Sequence, residues 1–188
     1  MQKVNDIRNS PPTFTLRPLV LPAAAGIATL VPCLLFANPA FLTWLGSRAA
    51  WLTLPTSLGV PFAFPRLGLS AVVGQPDWHL TTELLGVVVL ASVTGWWVHR
   101  ASRARPGANS WRVLLSAWAG VLLGLALANA LRASAAVLAV GAGPVALFSY
   151  ALAGAFTGTV WALCLGWVCA VPAALVHRFT PRPPTRPA

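Results

Sequence analysis

The sequence predicts an all-α integral membrane protein: four transmembrane helices arranged as two hairpins, with an interfacial amphipathic helix and loop between spans one and two. Of its 188 residues, 57% are hydrophobic and only 9% charged, and the mean hydropathy is +0.72. A water-soluble domain devotes about 25% of its residues to charge. Apolar runs long enough to cross a bilayer, which takes about 20 helical residues, recur four times along the chain. The few charges cluster between these runs, as expected where lipid is the solvent and each span must satisfy its own backbone.

Residues 1–17 form a polar tail with Lys3, Arg8, Arg17, Pro11 and Pro12, and residues 18–177 make a single membrane domain. Span one covers 19–37, with a kink expected near Pro22 or Pro32 because proline withholds an amide and crowds the carbonyl four residues earlier. Its apolar run continues past Cys33 and lacks a small-x-small site before Pro39, so it reads as a span rather than a cleaved signal. The extracytoplasmic segment 38–78 is interrupted by Pro39, Pro55, Pro61, Pro65 and Pro76. Within it, 39–54 sets Phe41, Trp44, Leu45, Trp51 and Leu52 near helical spacing, with Ser47 and Arg48 on another side, the pattern of a helix lying in the interface. The remainder, as far as Gly74, is expected to be an interfacial or re-entrant loop.

Span two, 80–98, ends in Trp96 and Trp97 beside a basic loop, the composition of a membrane surface. Span three, 113–131, is followed by a turn segment holding Arg132, Gly141, Gly143 and Pro144. Span four, 149–176, is long enough to tilt and carries Pro172 near its end. Residues 178–188 are a basic, proline-rich tail.

Charge sets the expected orientation. Segments 1–17, 99–112 and 177–188 hold ten of the thirteen Lys and Arg residues; only Arg48, Arg66 and Arg132 fall on the other side. That bias predicts a cell-membrane protein with both termini in the cytoplasm. A five-span alternative, with 133–153 as its own helix, exports the three C-terminal arginines and leaves almost no connection after Leu131. Arg100, Arg103, Arg105, Arg112 and Arg178 are the expected anchors to anionic lipid headgroups on the cytoplasmic face. No nucleic-acid partner is expected, since the arginines are spread among short loops beside spans rather than gathered on one patch. "VHRASRARP" and "VHRFTPRPP" close spans two and four alike, a short echo consistent with two hairpins of one orientation.

Rows of small residues are the most specific packing signal. Ser116, Gly120, Gly124 and Ala128 recur every four residues in span three, as do Gly154, Gly158, Ala162, Gly166, Ala170 and Ala174 in span four. Such rows let helix backbones approach closely. Packed against each other, or against another subunit, the two rows would make a close helix crossing.

"QPDWHLTTELLG" concentrates Asp77, His79 and Glu83, and Asp77 and Glu83 are two of only three acidic residues in the chain. His79 and Glu83, four apart, share a helix face, so the trio has the donors of a divalent-metal site or proton relay. A helix start explains more of the stretch: Asp77 as N-cap, Trp78 as interfacial anchor, and both carboxylates near the positive end of the dipole. Glu83, one turn inside the span, then needs a partner, and a salt bridge to Arg132 or Arg66 would supply it. His99 and His177 sit at span ends, each followed by Arg, as solvated anchors do; Cys33, Cys164 and Cys169 lie in apolar runs without CxxC spacing.

No Walker loop, GxSxG or HExxH appears, and no span as drawn has a charge at its centre, so no cofactor is expected. The leading expectation is a non-catalytic accessory or scaffold subunit of a larger membrane assembly, partnered by the bilayer and by another membrane protein or itself. A small dimeric transporter is the alternative, with Asn38, Thr94, Asn129, Thr157 and Thr159 lining a pathway. A membrane enzyme or redox protein using Asp77, His79 and Glu83 is the third.

Overall fold

In a computed structural model of the chain, residues 17–49, 60–68, 76–105 and 108–179 are described. They form α1 (Arg17–Ala28), α2 (Leu30–Ala37), α3 (Pro39–Arg48), α4 (Asp77–Ala104), α5 (Ser110–Ala139) and α6 (Pro144–Phe179). Four stretches are long and apolar enough to cross a membrane: Leu19–Ala37, which joins α1 and α2, and the three long helices. The protein is therefore an all-helical, multi-pass membrane protein whose outward side chains, Ile27, Val88, Phe156 and Trp167 among them, are exposed to lipid.

Span one breaks at Thr29, between the two expected prolines. Pro32 has no amide to donate to the Ala28 carbonyl and crowds it. Thr29 closes the gap locally, its amide and its hydroxyl both donating to the Gly26 carbonyl at 3.2 and 2.6 Å. Asn38 then caps α3 by accepting from the Ala40 amide at 2.9 Å, with Pro39 at the first helical position. Of the segment 39–54 expected as an interfacial helix, α3 covers Pro39–Arg48, and 50–54, with Trp51 and Leu52, lie outside the described residues.

Span three extends beyond its expected end. The helix runs through Arg132 to Ala139, and the turn to α6 occupies only 140–143, with Gly141 at φ 67. Arg132 is thus inside the helix and buried, not in a turn. No additional helix forms from 133–153, because its first half completes α5 and its second half begins α6.

The spans alternate in direction, and each packs on its neighbours in the order α1, α4, α5, α6, with α6 closing against α1. The glycines are points of contact. A Cβ on Gly26 or Gly95 in the α1–α4 pair would lie 3.0 Å from the Ala91 carbonyl oxygen or 3.3 Å from that of Pro22. One at Gly124 would sit 2.9 Å from the Leu90 carbonyl oxygen of α4, and one at Gly158 2.5 Å from the Leu125 carbonyl oxygen of α5.

Here the packing differs from the expected row-on-row crossing. The α5 glycines Gly120 and Gly124 face α4, whereas the α6 row, Gly154, Gly158 and Gly166, meets Trp118, Val121, Leu125, Asn129 and Ala133. Residues 120 and 121 lie about 100° apart around a helix. Placed between two neighbours, α5 gives its small row to one and the adjacent row to the other.

Two buried clusters fill the bundle. Ala25, Val98, Ala117, Ala170 and Ala173 pack at the end where α4 finishes and α5 begins. Cys33, Phe36, Phe64, Leu90, Leu125 and Ala162 pack toward the other end. The 60–68 segment belongs to this second cluster: Ala63, Phe64 and Pro65 are buried, and the Leu67 amide donates to the Cys33 carbonyl at 3.1 Å. A loop therefore folds inward among the helices, as irregular backbone in a membrane domain does only where protein covers it.

Candidate functional site

Glu83 and Arg132 meet where α4 and α5 run antiparallel. Arg132 donates to Glu83 Oε1 from Nε at 3.0 Å and from Nη2 at 2.5 Å, and both side chains are buried. A guanidinium gripping one carboxylate through two N–H groups is a strong, directional contact. Gly86 makes room for it. A Cβ there would press on Arg132 Cδ at 3.2 Å and on the Pro65 ring at 3.1 Å, so the bare backbone lets both the arginine stem and the inserted loop cross α4.

The pair is also tied to the loop. Glu83 Oε2 accepts from the Arg66 backbone amide at 2.6 Å. Arg132 Nη1 donates to Asn129 Oδ1 at 2.7 Å and reaches the Ala63 carbonyl at 3.5 Å, while Asn129 Nδ2 donates to that same carbonyl at 3.0 Å. Ala63 adopts φ 52, the left-handed region that L side chains rarely occupy. A strained residue at the inmost point of the loop thus presents its carbonyl to Asn129 and Arg132.

Chemically, this arrangement is closed. Each Glu83 oxygen has a donor, and the carboxylate is neutralised by a guanidinium. His79 Nε2 lies 3.5 Å from Glu83 Oε1, at the edge of the pair. Asp77 is exposed and is the first residue of α4, not its cap: the N-cap position belongs to Pro76, without a side-chain cap bond. The preset φ of Pro76, at −64°, lets the chain enter the helix one residue earlier, leaving Asp77 near the positive end of the dipole. His79 and Glu83 are therefore brought together, and among the described residues no group of three His, Cys, Asp or Glu side chains is placed to hold a metal.

Elsewhere polar groups are paired locally. His177 Nε2 is 2.9 Å from the Ala108 carbonyl oxygen, joining the end of α6 to the α4–α5 connection. Thr94 donates to the Gly120 carbonyl at 3.3 Å across the α4–α5 contact, and Thr157 and Thr159 bond back to their own helix. With Asn38 used as a cap and Asn129 on Ala63, the five residues expected along a transport pathway have separate local roles. The hydroxyl of Ser116 is buried without a hydrogen-bond partner among the described residues. Cys33 and Cys169 are buried and Cys164 exposed, all as free thiols.

Arg100, Arg103, Arg105, Arg112 and Arg178 are exposed at one end of the bundle. Arg100 also stacks its guanidinium over Trp96, 5.8 Å from the ring centroid. At the opposite end a cavity of about 260 Å³ opens beside the ion pair, bordered by Phe62, Arg66, Trp78, His79, Glu83 and Arg132.

Sequence reasoning finds Glu83 by its isolation and Arg132 as one of two possible partners. It misses Ala63 and Gly86, for which no local pattern exists, and it gives Asn129 a different role. No family model, curated protein or solved structure gives a significant match to this chain.

Proposed function

We propose that this protein is a non-catalytic, multi-pass subunit that works as a structural component of a larger membrane assembly. The observation that carries this reading is the closed Glu83–Arg132–Asn129 network. The buried charges of the bundle are used to fix the 60–68 segment between α4 and α5, which leaves no free carboxylate there for acid–base work. An open apolar groove along α1 and α4, bordered by Leu19, Ala23, Ile27, Leu30, Ala91 and Ser92, supports contact with another membrane helix, since small residues beside exposed apolar ones suit close packing in lipid. The partner is another membrane protein or a second copy.

In this reading the end bearing the exposed arginines faces the cytoplasm of a cell membrane and rests on anionic headgroups, with both termini on that side. Solubilisation in mild detergent, followed by cross-linking and subunit identification, tests the proposal. A stoichiometric partner or a homodimer is the expected result. A single monomeric species, with no assembly defect when the protein is removed from its membrane, overturns it.

A further inference from the structure

The cavity beside the ion pair is short of negative charge. Its lining includes two arginines, Arg66 and Arg132, against one acidic residue, Glu83. That carboxylate is committed, through Oε1 to Arg132 and through Oε2 to the backbone amide of Arg66 rather than to its side chain. The chain has three acidic residues in all. Among the described residues, ion pairing involves only Glu83 with Arg132 and His79, so the Arg66 guanidinium has no carboxylate there. One positive charge is left over on a part-buried residue beside a half-enclosed, largely apolar cavity.

We propose that this cavity binds a phosphate oxyanion, carried by a phospholipid headgroup or free in solution. The planar fork of an arginine matches two phosphate oxygens, and Trp78 and His79, whose rings carry N–H groups able to donate, line the same cavity. The single excess charge matches the one negative charge of a phosphodiester. Val60, Phe62 and Ala136 supply an apolar flank suited to the glycerol and first methylenes of a lipid. A volume of about 260 Å³ is below the ~300–1,000 Å³ of drug-sized sites, which suits a headgroup rather than a cofactor. Trp78, exposed at the start of α4, belongs to the residue type that marks the headgroup layer. This site lies at the end of the bundle opposite the exposed arginines, and it stands independently of the assembly role.

The test uses the full-length protein, purified in nonionic detergent and stripped of lipid. Phosphatidylglycerol is the first probe, followed by native mass spectrometry, and inorganic phosphate is the second, followed by calorimetry. R66Q removes the unpaired charge and A136L fills the cavity without changing charge; R48Q makes the same charge change at an exposed position on α3, outside the cavity lining. The wild type and R48Q are expected to bind; R66Q should bind about tenfold more weakly, the loss of one charge-assisted contact, and A136L at least as weakly because it occupies the cavity. Binding of phosphatidylglycerol alone identifies the lipid as the source, and binding of inorganic phosphate identifies the free anion. The proposal is overturned if neither probe binds, or if R66Q and R48Q bind alike. Should R66Q fail to fold, undiminished binding by A136L overturns it equally.

Discussion

Arg132 on α5 holds Glu83 on α4 through two N–H donors to a single carboxylate oxygen, across a separation of 49 residues in the chain. The other oxygen of Glu83 takes the amide of Arg66, so one carboxylate joins two spans and the loop inserted between them. Burial makes this relationship mutual: either charge alone would be stranded in the bundle.

Removing one partner is therefore expected to cost more than removing both charges. Arg132→Ala should lower unfolding stability by about 3–5 kcal/mol, the usual penalty for an orphaned buried charge. The paired change Glu83→Gln with Arg132→Met should be markedly milder, because the glutamine carbonyl still accepts from Arg66 and no charge remains. Denaturation in mixed micelles measures both, and additive losses across the double-mutant cycle would argue against the coupling.

The glycines of α6 and α3 should respond with opposite signs. A Cβ on Gly158 meets the Leu125 carbonyl, whereas one on Gly46 meets nothing within 4 Å. Gly158→Ala should destabilise by about 1–3 kcal/mol through overpacking. Gly46→Ala should be neutral or stabilise by up to about 1 kcal/mol, since alanine loses less backbone entropy in a helix. Thermal melts of the two variants in the same detergent decide the matter, and equal shifts would contradict the packing described here.

Ala63 tests the inserted loop. Ala63→Gly removes a buried methyl, worth about 0.8 kcal/mol, but relieves a left-handed backbone that costs about 1–2 kcal/mol, so it should be close to neutral. Ala63→Val should be strongly destabilising, because a β-branched residue fits that region poorly and the site is fully buried. A well-folded valine variant with wild-type stability would show that the φ of 52° is not required.

Orientation is open to labelling. With the native cysteines replaced by serine, Arg105→Cys and Gly143→Cys should react with a membrane-impermeant maleimide from opposite sides, the first from the cytoplasm. Labelling of both from one side would reverse the alternation of α5; labelling of Arg105→Cys from outside would invert the whole protein.

Local composition was enough to specify four spans, a helix after Asn38, the small-residue rows and the separation of most basic residues to one end. Length and hydropathy are sums over neighbouring residues, so lipid as solvent can be inferred before any contact is known. What a local pattern does not contain is the identity of a distant partner. Arg132 looks like the end of a span because an unpaired charge is costly inside a membrane domain; its meeting with Glu83, in the gap left by Gly86, lets it lie buried while α5 runs on to Ala139. Likewise the spacing of Gly120 and Gly124 announces a close contact but does not say with which helix, and tertiary packing assigned it to α4. The inward course of Ala63 and Phe64 depended on the same condition: a loop enters a membrane bundle only where neighbouring elements satisfy its carbonyls, and Asn129 and Arg132 do so here.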